Sequence, residues 1–118
     1  MQRPGMRDQR GPAIRALAES GRETYHWRGR HEDTPGRVLF ETVIDRDAHW
    51  TIRHIEIENS GKVLRYDWTH LEDEYGFLAE GEMEPEAWGL ERITAQDFEA
   101  AWTRYGERAH DRAVRQAE

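Results

Sequence analysis

Hydrophobic and polar positions alternate with a period of two through the middle of the chain. Val38, Phe40, Thr42 and Ile44 fall on one parity, with polar or smaller residues between them. Leu64, Tyr66 and Trp68 alternate again further on. This is the period of half-buried strands. Between these runs, Trp50 to Glu58 is rich in β-branched residues and reads as a strand of its own. Asp45-Arg46-Asp47 is a polar break. Asn59-Ser60-Gly61 is a hairpin loop, with Gly61 where the chain needs a positive φ. The Trp50 strand changes parity, since Trp50 and Ile52 share one and Ile55 and Ile57 the other. Either both faces are partly buried, or a β-bulge near Arg53-His54 switches parity; the bulge is the reading preferred, because it keeps His54, Glu56 and Glu58 out of the core.

Thr24 to Arg28 adds a first strand, with Tyr25 and Trp27 on one side and His26 on the other. Upstream, Pro12 suits the first turn of a short helix over Ala13 to Glu19, carrying a thin stripe of Ile14, Leu17 and Ala18. Downstream, Gly76, Gly81 and Pro85 oppose a helix, so Thr69 to Glu86 reads as a long loop wrapping the sheet. The last element has a clear start. Thr94 is the N-cap, Asp97 the acid three residues on, and Ile93 and Phe98 form a hydrophobic staple. Phe98, Ala101, Trp102 and Tyr105 recur at helical spacing, and residues 107–118 continue the helix. The pattern predicts an α+β fold: an antiparallel four-stranded meander sheet, a C-terminal helix packed on one face, and a short N-terminal helix. Residues 1–22 form a flexible arm with the short helix, and residues 23–118 a single domain.

Composition narrows the chemistry. A chain of 118 residues suits one domain rather than two. With no cysteine there is no disulfide framework and no thiolate ligand or nucleophile. No apolar run is long enough for a membrane span, and no apolar segment follows the early arginines, so a cytoplasmic protein is expected. A net charge of −7 opposes nucleic-acid binding, whose affinity comes mostly from cations.

The charge is unevenly placed. Tyr66 to Glu91 holds nine acids and no Lys or Arg. Such a block is a solvated face or a docking surface for a basic protein partner. Glu80, Glu82, Glu84 and Glu86, at i, i+2 spacing, would share a face if extended, with Trp88 beyond them as an apolar anchor. Among the six histidines, His49, His54 and His70 with Asp47 or Asp67 are the metal-ligand candidates, but the spacing fits no zinc pattern and no metal or other cofactor is expected. An acid–base site would centre on His54 with Glu56 or Asp67. No nucleophile elbow or phosphate loop accompanies it.

The pieces from Trp27 to Asp45, His49 to Lys62 and Ile93 to Trp102 together resemble an uncharacterised family of small bacterial α+β domains. Trp27, Pro35, Ile52, Ile55, Ile57, Gly61, Ile93, Phe98 and Trp102 carry the resemblance. Asn59-Ser60 departs from that family's charged turn, and the N-terminal arm has no counterpart in it. The resemblance implies no activity. Small acidic domains of this class are often immunity proteins that neutralise a toxin. The expected function is therefore a non-enzymatic binding module of immunity or regulatory type, engaging a basic partner. The alternative is a small enzyme or ligand-binding domain centred on His54.

Overall fold

The computed structural model describes residues 10–30 and 36–104. The expected continuation of the last helix, together with His31 and His110, lies outside them. The first helix, α1 (Arg10–Ala18), begins before Pro12. Proline is tolerated there because a first-turn N–H has no intrahelical partner anyway. Arg10 ties this end down, its guanidinium donating to the Leu78 carbonyl at 2.9 Å. Gly11 sits so close to the chain that a Cβ would stand 2.9 Å from the Trp68 carbonyl oxygen. Ile14 then joins a buried cluster with Val43, Ile52, Leu64, Tyr66 and Leu78.

The strands are β1 (Thr24–Arg30), β2 (Gly36–Asp45), β3 (Ala48–Glu58), β4 (Val63–Tyr66), β5 (Glu72–Asp73), β6 (Gly76–Phe77), β7 (Glu82–Met83) and β8 (Glu91–Ile93). Helix α2 spans 95–104. The main sheet runs β4-β3-β2-β1-β8, with β7 beside the early half of β3 and β5-β6 as a separate ribbon. Every pairing is antiparallel. The expected four-strand meander is β1 to β4, and the sheet is larger than that. The additions come from two- and three-residue strands between 72 and 93, in the stretch read as a loop and just after it. Pairings so short leave no alternation to read, while Gly76, Gly81 and Pro85 punctuate them.

Two turns set the register. Arg46 and Asp47 both have positive φ, 53° and 63°, the requirement of a two-residue hairpin whose twist matches its strands. A bulge follows at Ile52, directly before the Arg53-His54 position where it was expected. The pairing passes from Glu41↔Arg53 to Thr42↔Thr51, leaving Ile52 as the extra residue. The bulge does not keep His54 out of the core: His54 is 3% exposed. Its buried ring is accommodated because Nδ1 accepts the Ala79 N–H at 3.1 Å.

Cross-strand partners share a face. One face carries the row Trp27, Phe40, His54 and Tyr66. The other carries Ile93, His26, Glu41 and Arg53, and beside them Arg28, Leu39, Ile55 and Arg65. Helix α2 covers this second face. Its cap is as expected, with the Asp97 N–H donating to Thr94 Oγ1 at 3.0 Å. Phe98 is buried in a cluster with Ile55 and Val63, flanked by Leu39, Ile57, Ile93, Ala101 and Trp102. Trp102, expected to be buried, is half-buried. Its ring stacks on Phe98, and the guanidinium groups of Arg53 and Arg65 lie 4.8 and 4.2 Å from its centroid. Among the described residues, no helix is long and apolar enough to cross a membrane.

Candidate functional site

Beneath α2 lies an ionic network the sequence reading passed over. Glu41 Oε2 accepts from His26 Nε2 at 2.9 Å, and both Glu41 oxygens accept from the Arg53 guanidinium. Arg53 also reaches Glu99 on the helix. Burial alone would raise the Glu41 carboxyl, but the hydrogen bonds from His26 and Arg53 outweigh it and hold it at about 2. His26 and Glu41 are both nearly closed to solvent. A fully bonded network under a helix clamps that helix to the sheet and offers nothing to a substrate.

The three candidate metal histidines do not converge. His49 Nδ1 meets Thr42 Oγ1, with Tyr25 and Trp27 packed edge-on to its ring. His54 is turned to Ala79, and His70 Nε2 meets Asp73 Oδ2. Of the two acids, Asp47 sits in the hairpin turn, and Asp67 accepts the N–H groups of Thr69 and His70. The acid–base alternative fares no better on access. His54 Nε2 lies 3.6 Å from Glu56 Oε2, but the rings of Tyr66 and Phe40 enclose it. Reagents would reach it only if the segment around Ala79 lifted away.

Two open features remain, and they meet at Trp88. The first is the acidic edge. Met83 and Pro85 are buried while Glu82, Glu84 and Glu86 are exposed; only Glu82–Met83 is strand, and Glu86 already lies in a turn. Glu80 is exposed too, and pairs with Arg10 at 2.7 Å. The chain then closes a turn: Trp88 N–H donates to Glu84 O at 3.0 Å and Leu90 N–H to Pro85 O at 2.9 Å. Gly89, with φ 75°, takes the left-handed position. Trp88 is left 57% exposed at the tip.

The second feature is a groove of about 700 Å³ on the helix-bearing face. One wall is α2, at Asp97 and Ala101; the other is the turn from Trp88 to Glu91. Leu39 and Ile57 belong to the sheet between them, and Arg30 and Arg37 form the last described cross-strand pair of β1 and β2. Neither this groove nor the neighbouring one of about 440 Å³ is lined by His54. The groove could have been glimpsed in the sequence, because Arg28 and Arg30 share one parity of β1 and Arg37 and Leu39 one parity of β2. Its second wall could not, since the turn at 85–90 docks through a contact with no local signature. That contact is Gly29, where a Cβ would come within 2.3 Å of Leu90 Cδ2. Gly29→Ala should push Leu90 aside and cost about 1–3 kcal/mol, read as a lower denaturant midpoint with unchanged slope.

Among the described residues, the candidate acid–base and metal-ligand groups do not converge at either groove. No protein-family model, curated protein or solved structure matches this chain.

Proposed function

We propose that this protein is a non-enzymatic binding module that engages a basic protein partner through its acidic edge, in the manner of an immunity or regulatory protein. The supporting observation is the outward row Glu82, Glu84 and Glu86 ending on the 57% exposed Trp88. Exposed charges of one sign steer encounter, and an aromatic at their end supplies the desolvated anchor. Glu80 is exposed nearby, before the turn at Gly81, and its pairing with Arg10 already offsets part of its charge. The enclosed His54 supports a binder over an enzyme.

The test is kinetic. A partner is isolated from the native host, and its association is measured at low and moderate salt. Glu82→Lys with Glu84→Lys should slow association by roughly tenfold and flatten its salt dependence, with the fold intact. Trp88→Ala should instead speed dissociation. Association rates that ignore both charge reversals would remove this reading.

A further inference from the structure

The groove beside α2 has its own charge pattern, opposite in sign to the acidic edge. Arg30 and Arg37 are direct cross-strand partners, and both are exposed. Their register places them on the helix-bearing face, continuing the row with Ile57. Two like charges side by side on a strand pair destabilise it. No carboxylate among the described residues pairs with either. Five other arginines meet carboxylates: Arg10 at Glu80, Arg15 at Glu19, Arg22 at Asp45, Arg28 at Glu91, and Arg53 at Glu41 and Glu99, while Arg65 and Arg92 lie over aromatic rings. In a chain with 24 acids and 17 Lys and Arg, carboxylates are plentiful. What sets Arg30 and Arg37 apart is that they are direct cross-strand neighbours of like charge and both line the groove.

Behind the pair the groove is apolar, with Leu39 and Ile57 inside and the Trp88 ring at its lip. Its volume of about 700 Å³ falls within the range of small-molecule sites, which are largely apolar with a few orienting polar groups. Arg28, on the same face, already meets both Glu91 oxygens at 3.0 and 3.2 Å. Asp97 and Glu91 line the far side and oppose a second negative group there.

We infer that this groove binds a small organic anion with one carboxylate or phosphate group and a flat apolar body. The anionic group sits between Arg30 and Arg37, whose planar donors suit either oxyanion. The apolar body lies over Leu39 and Ile57 against Trp88. The carboxylates on the far side fix the orientation, charged end outward to the arginine pair. This site shares Trp88 with the acidic edge but uses none of its glutamates and needs no protein partner.

The experiment is calorimetric titration of the full chain with 2-naphthoate, 2-naphthyl phosphate and the uncharged 2-naphthalenemethanol. Saturable one-to-one binding of at least one anion is expected, and the tighter of the two identifies the head group. Arg30→Ala with Arg37→Ala should weaken the anion about tenfold or more and leave the neutral compound's weaker binding unchanged. Glu82→Lys with Glu84→Lys should leave anion binding in place, which separates this site from the docking edge. Thermal melts of each variant check folding, and Arg30→Lys with Arg37→Lys, which keeps the charges, should retain part of the affinity if the arginine variants are sound. Failure of the unaltered protein to bind either anion, equal binding by the double alanine variant, or preference for the neutral compound would each overturn the assignment. Binding of an acidic peptide in place of both naphthyl anions would overturn it as well.

Discussion

Glu41→Ala should cost about 3–5 kcal/mol, the range for removing one partner of a buried ion pair. Glu41 is 6% exposed and receives three hydrogen bonds, one from His26 and two from Arg53. Alanine would leave the Arg53 charge, whose side chain is 13% exposed, with Glu99 as its remaining carboxylate. It would also leave His26 Nε2 without its acceptor. The pH dependence carries the same information with a definite sign. The folded carboxyl titrates at about 2, below its ordinary 4.5. The network's stabilisation is therefore complete above about pH 5 and fades as pH falls toward 2, by about 3 kcal/mol. Urea melts of the wild type from pH 7 to pH 2 should show that acid limb, and Glu41→Gln should flatten it. Asp73 contributes a limb of the same sign: burial raises it, but hydrogen bonds from His70, Tyr75 and Tyr66 outweigh that and lower it. The comparison of variant with wild type isolates Glu41. A wild-type acid limb equal to that of Glu41→Gln would show that the network contributes nothing to folding.

The sequence made the sheet's centre legible because its strands are long. Seven residues in β1, ten in β2 and eleven in β3 give alternation room to register. The helix start was legible for the same reason: Thr94, Asp97 and Phe98 act within one turn. What stayed hidden is long-range. The Glu41 network joins residues 12 and 15 positions apart through strand pairing, and nothing local in the chain marks it. The bulge was visible as a parity conflict, yet its position depends on which residue pairs with Thr42, and that is set across the strands. The same bulge aligns Arg53 with Glu41, so one register shift decides both the network and where α2 can clamp. Of the candidate site residues, the four glutamates and Trp88 are exposed. The arginine groove needed the docked turn at 85–90 before its walls existed.

Phe98→Ala should be the most damaging single change in the helix, at about 3–5 kcal/mol, a large share of the roughly 5–15 kcal/mol typical of whole domains. The side chain is 0% exposed and is the residue through which α2 meets Ile55 and Val63. Its ring also lies 5.3 Å from the His26 ring and 5.0 Å from the Arg53 guanidinium. Truncation would open a cavity directly above the Glu41 network and admit water to its charges. Trp102→Ala should cost less than Phe98→Ala, because Trp102 is half-buried and the arginines on its faces can turn to solvent. Phe98→Leu, which keeps most of the volume, should cost under about 1.5 kcal/mol. Since Phe98 touches two of the four network side chains, His26 and Arg53, its effect should not add to that of Glu41→Gln. A double-mutant cycle by urea unfolding should give a coupling of about 0.5–3 kcal/mol. Strict additivity would mean that the helix packs on the sheet and the ion network beneath it are independent, and that Phe98 does not seal the charges it covers.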